Sequence, residues 1–186
     1  MAFYCSIKSA LFSVNFDSDI DLYPYFASQR YNKYMPDFSV SRLPAPTKFT
    51  VVYRNGQDRT VVFEDNNAYI CYPWDMMREG ESILYPGYPL IEAQNQSAGI
   101  CTVHSASFVK ENKGILLFGD AGSGKTSVVI QVCKGHDGKL ISNDLTVVGS
   151  SEGVITAYGG TKFFHIRKTS VDQNMPWLSK FFKEEA

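Results

Sequence analysis

The sequence predicts an α/β fold, with a β-rich portion over residues 1–97 and a strand–loop–helix core over residues 98–186. Three observations carry this. Short segments rich in Val, Thr, Tyr and Phe, separated by turn residues, recur through the first hundred positions. An apolar run, Gly114-Ile115-Leu116-Leu117-Phe118, leads directly into a glycine-rich stretch. A helix-length segment follows and stops at Gly135.

The elements follow in order. Residues 3–16 alternate loosely and predict two short strands, with an acidic turn over 17–21. Residues 22–34 suit a short helix. Residues 41–47 carry Pro44 and Pro46 and read as a connector. Residues 48–54 and 59–63 flank Asn55-Gly56 and predict a hairpin. Residues 68–72 form a third strand. Residues 73–89, with three prolines and two glycines, read as a loop. In the second half, 99–105 and 114–118 read as buried strands. Residues 125–134 read as a helix despite the β-branched Val128, Val129, Ile130 and Val132. Strands are expected at 140–142, 145–148, 154–158 and 163–167, with a turn at 150–153 and a docked helix over 177–182.

Charge and cysteine usage narrow the function classes. The net charge of -1, from 18 basic and 19 acidic residues, gives no global field toward nucleic acid or an anionic membrane. Arg30, Tyr31, Lys33 and Tyr34 interleave charge with aromatics, too little to indicate a nucleic-acid surface. Cys5, Cys71, Cys101 and Cys133 form no CxxC or Cys/His cluster, so neither zinc nor a disulfide framework is expected. Reduced thiols, no signal-like N-terminus and no apolar run near the ~20 residues of a membrane span point to the cytoplasm. A homo-oligomer is compatible with the sequence.

The motif that carries chemistry is Gly119-Asp120-Ala121-Gly122-Ser123-Gly124-Lys125-Thr126, a full match to G-x-x-x-x-G-K-[ST], followed by Ser127. Gly119 and Gly124 permit backbone angles that side chains block, so the loop can turn its N–H groups around a phosphate. The helix that starts near Lys125 adds its positive end. Lys125 is placed to reach the outer phosphates, and Thr126 offers a hydroxyl to magnesium. The expected ligands are ATP, or another nucleoside triphosphate, and Mg2+. Such a loop needs a strand-end acid for the metal, and Asp144 stands 19 residues after Lys125. Thr126 and Asp144 are therefore the candidate metal-binding residues.

The stretch His104-Ser105-Ala106-Ser107-Phe108-Val109, the strand from Lys113 to Phe118, the loop, and Leu140-Ile141-Ser142-Asn143-Asp144 together resemble the HPr kinase/phosphorylase family, relatives of the ATP-dependent PEP carboxykinases. The resemblance covers about residues 99–168. It implies an HPr-kinase-like core in which a His opens a strand, a second strand enters the loop, and a third ends in paired acids. It implies that His104 sits beside the γ-phosphate, orienting an acceptor or a catalytic carboxylate, and that Asp144 holds magnesium. Asn143 stands where the family has its first acid, the general base, and an amide cannot take that proton. The family also carries an acid at the position of Asp120 in several members, and continues further at its C-terminal end.

The expected activity is ATP- and Mg-dependent transfer of the γ-phosphoryl group to a hydroxyl of a small molecule, amino acid or peptide, with 1–97 as an acceptor-binding portion. The alternatives are a nucleotide-binding regulatory or scaffold module without transfer, and a partner-coupled ATPase. Lys162, Arg167 and Lys168 form a basic cluster that suits either an anionic substrate or a solvated edge strand. His136 reads as a capping or surface residue, and His165 as a core or sheet-face residue.

Overall fold

The β-rich first half builds one six-stranded mixed sheet, in the order β3-β1-β2-β4-β6-β5. Its strands are β1 (Phe3–Lys8), β2 (Ser13–Ser18), β3 (Ser39–Ser41), β4 (Thr50–Asn55), β5 (Thr60–Glu64) and β6 (Asn67–Tyr72). The computed structural model describes residues 1–9, 11–28, 38–76, 81–164 and 166–181. The basic–aromatic stretch 30–34, the second part of the helix expected over 22–34, and His165 lie outside the described residues. Helix α1 (Tyr23–Ala27) accounts for the first part, with Pro24 in its opening turn and Phe26 buried.

Period-two alternation places one side of this sheet in the core. Ile7, Val14, Phe16, Val51, Tyr53, Ala68 and Ile70 are buried there together with Leu22 and Phe26. Each such large side chain contributes roughly 1.5–3 kcal/mol by leaving water. The hairpin expected around Asn55-Gly56 does not form. β4 pairs in parallel with both β2 and β6, and among the described residues β5 pairs only with β6, antiparallel. Val51 and Tyr53 are fully buried, which demands a central position for β4, whereas every residue of β5 is exposed. β6, with Ala68 and Ile70 buried, is inserted between them. The tight turn of the sheet is instead Asp65-Asn66, where Asp65 has φ 50° and Glu64 faces Asn67.

The loop expected over 73–89 is also corrected. A short 3-10 turn at Trp74–Met76 precedes α2 (Glu81–Ser97), a 17-residue helix that contains Pro86, Gly87 and Pro89. Its Leu90 and Ile91 are buried in the sheet's core, and this burial outweighs the poor helix propensity of those three residues. Gly87 has a packing reason. A Cβ there would sit 2.7 Å from Cζ of the buried Phe16 ring. The far end of α2 ties the two halves together: Gln94 Nε2 donates to the Ser13 carbonyl (3.3 Å), and Thr102 Oγ1 donates to Glu92 (2.6 Å).

The second half holds two three-stranded antiparallel sheets. One has the order β10-β8-β9, the other β12-β11-β7, with β7 (Ile100–His104), β8 (Ala106–Lys110), β9 (Lys113–Leu117), β10 (Lys139–Ser142), β11 (Leu145–Ser151) and β12 (Val154–Gly160). Only Ile100 of β7 is buried, and β9 is exposed or half-buried throughout, so neither is the buried strand expected. The chain crosses between the sheets twice: at Ser105, between β7 and β8, and at Asn143-Asp144, between β10 and β11. Buried hydroxyls join these crossings. Thr146 Oγ1 donates to the Ser105 carbonyl (3.1 Å) and lies 2.9 Å from Ser105 Oγ and 2.8 Å from Ser107 Oγ.

Helix α3 (Lys125–Gly135) packs Val129 against Ala106 and Phe108 of β8, which explains why β-branched residues are helical here. The strand expected at 163–167 is absent from the described residues of that range, which run as irregular chain into α4 (Lys168–Asn174). The docked helix near the C-terminal end is a 3-10 segment, Pro176–Phe181. All four cysteines are free thiols. Among the described residues no helix is long and apolar enough to cross a membrane.

Candidate functional site

The glycine-rich loop leaves β9 at Leu117 and ends where α3 begins. Gly119, Gly122 and Gly124 have φ of 149°, 82° and 94°, values that L side chains rarely adopt. At Gly119 there is also no room, because a Cβ would meet Ser123 Oγ at 2.8 Å. The Ser123 N–H donates to the Asp120 carbonyl (3.1 Å) and closes the turn. The Gly124 carbonyl accepts from the Val128 N–H (3.0 Å), so α3 starts at once. The N–H groups of Lys125, Thr126 and Ser127 therefore belong to the first helical turn, which has no acceptors of its own.

Lys125 curls back over the loop. Its Nζ donates to the carbonyls of Gly119 (2.6 Å) and Asp120 (3.1 Å). Thr126 Oγ1 donates to Asn143 Oδ1 at 2.9 Å. Asn143 is 6% exposed and fully engaged. Its Nδ2 donates to the Phe163 carbonyl (2.8 Å), and its backbone N–H donates to the Thr161 carbonyl (2.8 Å). Asn143 thus joins the start of α3 to the segment after β12. An acid at this position would lack the donor that Phe163 needs.

His104 closes β7 rather than opening the following strand, because the chain breaks at Ser105. In the sheet His104 lies opposite Leu145, which brings it beside Asp144, and its Nε2 stands 2.9 Å from Asp144 Oδ1. Both side chains are about half exposed, at 58% and 51%.

These groups border one cleft of about 570 Å³. Of the residues expected from sequence, His104, Asn143, Asp144 and every position from Ala121 to Ser127 line it. Gly119 and Asp120 do not; they lie at the root of the loop and hold Lys125 through their carbonyls. The basic cluster separates. Arg167 lines the cleft, Lys162 Nζ donates to the Ile141 carbonyl, and Lys168 is not among the lining residues. No hydrogen bond or ion pair engages the exposed Arg167 side chain among the described residues, whereas Arg42 and Arg54 are paired with Asp21 and Asp17 at 3.0 Å. Ile166, Ser170 and Met175 also line the cleft and were not legible as site residues. The available signal was Val171 and Met175, both buried and four residues apart, which marks a short helix in place of the expected strand.

The donor set suits a hard divalent ion such as magnesium. Thr126 and Asp144 supply one hydroxyl and one carboxylate in the same cleft. Among the described residues no group of three or more His, Cys, Asp or Glu is placed to hold a metal by itself. Magnesium with one protein carboxylate and phosphate oxygens needs no such group.

A scan against protein-family models finds no match to this chain, and a search of the curated proteins finds none either.

Proposed function

We propose that this chain binds a nucleoside triphosphate with magnesium through Gly119–Thr126 and transfers the γ-phosphoryl group to a hydroxyl of a small molecule, amino acid or peptide. In this reading the second half is an HPr-kinase-like phosphate-loop core. The observation that carries it is the convergence of four chain segments on one cleft: Lys125 and Thr126 from the loop and helix, His104 from β7, Asp144 after β10, and Arg167 before α4.

Each residue then has a role that its chemistry allows. Lys125 exchanges two carbonyl partners for phosphate oxygens, and the first-turn N–H groups of α3 bind the same anion. Thr126 and Asp144 would hold magnesium, which when bound offsets the negative charge of the phosphates. Asn143 Oδ1 accepts a hydrogen bond from the Thr126 hydroxyl, which leaves that oxygen's lone pairs free for a metal ion. Asn143 is not the base. In this reading His104, whose Nε2 stands 2.9 Å from Asp144 Oδ1, is the group that takes the proton of the acceptor hydroxyl. Arg167, which also lines the cleft, binds charge there.

The test is acceptor-dependent formation of ADP, screened over amino acids, peptides and hydroxylated metabolites. Lys125→Ala should abolish it, and normal turnover by that variant would falsify the proposal. A second reading, a nucleotide-binding module without transfer, is favoured by the engagement of both amide atoms of Asn143 in structural bonds. It predicts magnesium-dependent ATP binding and no ADP with any acceptor. ADP released at the same rate with and without acceptors would instead indicate a partner-coupled ATPase.

A further inference from the structure

Three consecutive residues at the end of β12 act on the turn that carries Asp144. The turn follows a bulge in β10: Leu140 lies opposite Phe108 and Ser142 opposite Ser107, so Ile141 has no counterpart in β8. The Ile141 carbonyl accepts from Lys162 Nζ. Thr161 grips the turn on both sides of Asp144 through its backbone. Its carbonyl accepts from the Asn143 N–H (2.8 Å), and its N–H donates to the Leu145 carbonyl (3.0 Å). From within, the fully buried Ser142 closes the same turn. Its Oγ donates to the Leu145 carbonyl (2.7 Å) and accepts from the Asp144 N–H (3.3 Å). Gly160 is what allows so close an approach. A Cβ there would stand 2.6 Å from Ser142 Oγ and overlap the Leu145 carbonyl. The backbone around Asp144 is thus held at Ile141, Asn143, Asp144 and Leu145, while its carboxylate stays half exposed at the cleft.

We propose that Ser142 and the segment Gly160-Thr161-Lys162 are positioning residues that hold the Asp144 carboxylate in place for magnesium. The proposal rests on the nucleotide function given above. Magnesium demands near-ideal octahedral geometry, and Thr126 and Asp144 are the protein oxygens assigned to it in this cleft. With so few ligands, a displaced Asp144 has no neighbour to compensate for it. A turn ordered only on binding would also subtract its ordering entropy from the metal's affinity. A bulge that re-aims the chain beside a site, locked by bonds from a second strand, removes that cost in advance. Lys162 therefore serves the site without lining it.

Two variants test this. Ser142→Ala removes the hydroxyl and leaves the Leu145 carbonyl bonded to Thr161; Lys162→Met removes the donor to Ile141 from an exposed position and carries the test should the first variant not fold. Amide hydrogen exchange of the nucleotide-free chain reads the clamp: the Asp144 amide should exchange about tenfold faster or more in Ser142→Ala, with the amides of β1 and β2 unchanged. Calorimetric titration of ATP, in magnesium and in EDTA, reads its purpose. Both variants should need about tenfold more magnesium to tighten ATP binding, with the affinity in EDTA at the parent value. Lys162→Arg, which keeps a donor for Ile141, should restore the parent requirement. An equal loss of affinity in magnesium and in EDTA marks a structural role only and overturns the proposal. So does an Asp144 amide indifferent to Ser142→Ala. A parent chain that binds no ATP in magnesium refutes the nucleotide reading and the magnesium role together, while exchange at Asp144 still decides whether the clamp exists.

Discussion

Asn143→Asp is the most informative single change, because it restores the acid that the HPr kinase resemblance leads one to expect. The geometry argues that it should damage the protein. Asn143 is 6% exposed; its Oδ1 accepts from Thr126 at 2.9 Å and its Nδ2 donates to the Phe163 carbonyl at 2.8 Å. The substitution keeps the first bond and strengthens it with charge. It replaces the second with a carboxylate oxygen facing a carbonyl oxygen. The loss comprises a buried hydrogen bond, an unsatisfied carbonyl and the repulsion between two acceptors, together about 2–4 kcal/mol. For a chain of this size that lowers Tm by roughly 5–15 °C. Urea unfolding at neutral pH, followed by circular dichroism, measures the loss directly. The deficit should shrink at acid pH, where the protonated carboxyl can again donate to Phe163. A variant as stable as the parent at neutral pH would refute the structural role of Asn143. Gain of phosphoryl transfer in a fully stable variant would show instead that this position is an open catalytic slot.

Three further outcomes are expected. Arg167→Ala should leave stability within about 0.5 kcal/mol, since the side chain is exposed and unpaired among the described residues. It should weaken a triphosphate more than a diphosphate, by about tenfold for a loss of about 1.4 kcal/mol, and calorimetric titration of ATP against ADP checks this. Gly87→Ala gains helix propensity but drives a methyl to 2.7 Å from the Phe16 ring, so a net loss of about 1–2 kcal/mol should appear in denaturant unfolding. Alkylation followed by peptide mass mapping should label exposed Cys101 first and Cys5 last, because burial pushes the Cys5 thiol up to about 12. The same shift keeps Cys5 neutral in the fold. Its contribution is complete below the ordinary thiol value of 9.0 and is lost as pH rises from there toward 12, where only the unfolded chain ionises.

Much of the local structure was legible. The eight residues from Gly119 to Thr126 specify a turn that only glycine can make, followed immediately by a helix, and the structure has a loop with three positive-φ glycines and α3 beginning at Lys125. The strands near 3–8, 50–55, 67–72, 145–151 and 154–160 follow from β-branched and aromatic runs bounded by turn residues. The pairing of those strands was not legible. Asn55-Gly56 is a strong local hairpin signal, yet β6 separates β4 from β5, an order in which Val51, Tyr53, Ala68 and Ile70 are all buried. Three prolines and two glycines over 73–89 read as a loop, yet Leu90 and Ile91 hold α2 against a sheet whose first strand begins at Phe3.

The site divides in the same way. By itself the sequence determined the glycine loop and the helix that starts at Lys125, because such a turn is a property of eight adjacent residues and the backbone angles that they permit. Only the tertiary structure decided that Asn143 is a crosslink between Thr126 and Phe163, that His104 meets Asp144, and that Arg167 lines the cleft while Lys162 does not. Those arrangements come from two chain crossings between sheets, at Ser105 and at Asn143-Asp144, joined by buried hydroxyls from strands some 40 positions apart. Dihedral preference is encoded in a residue and its neighbours. Strand pairing and burial are free energies shared by residues far apart in the chain, and a single sequence does not display them until the chain is folded.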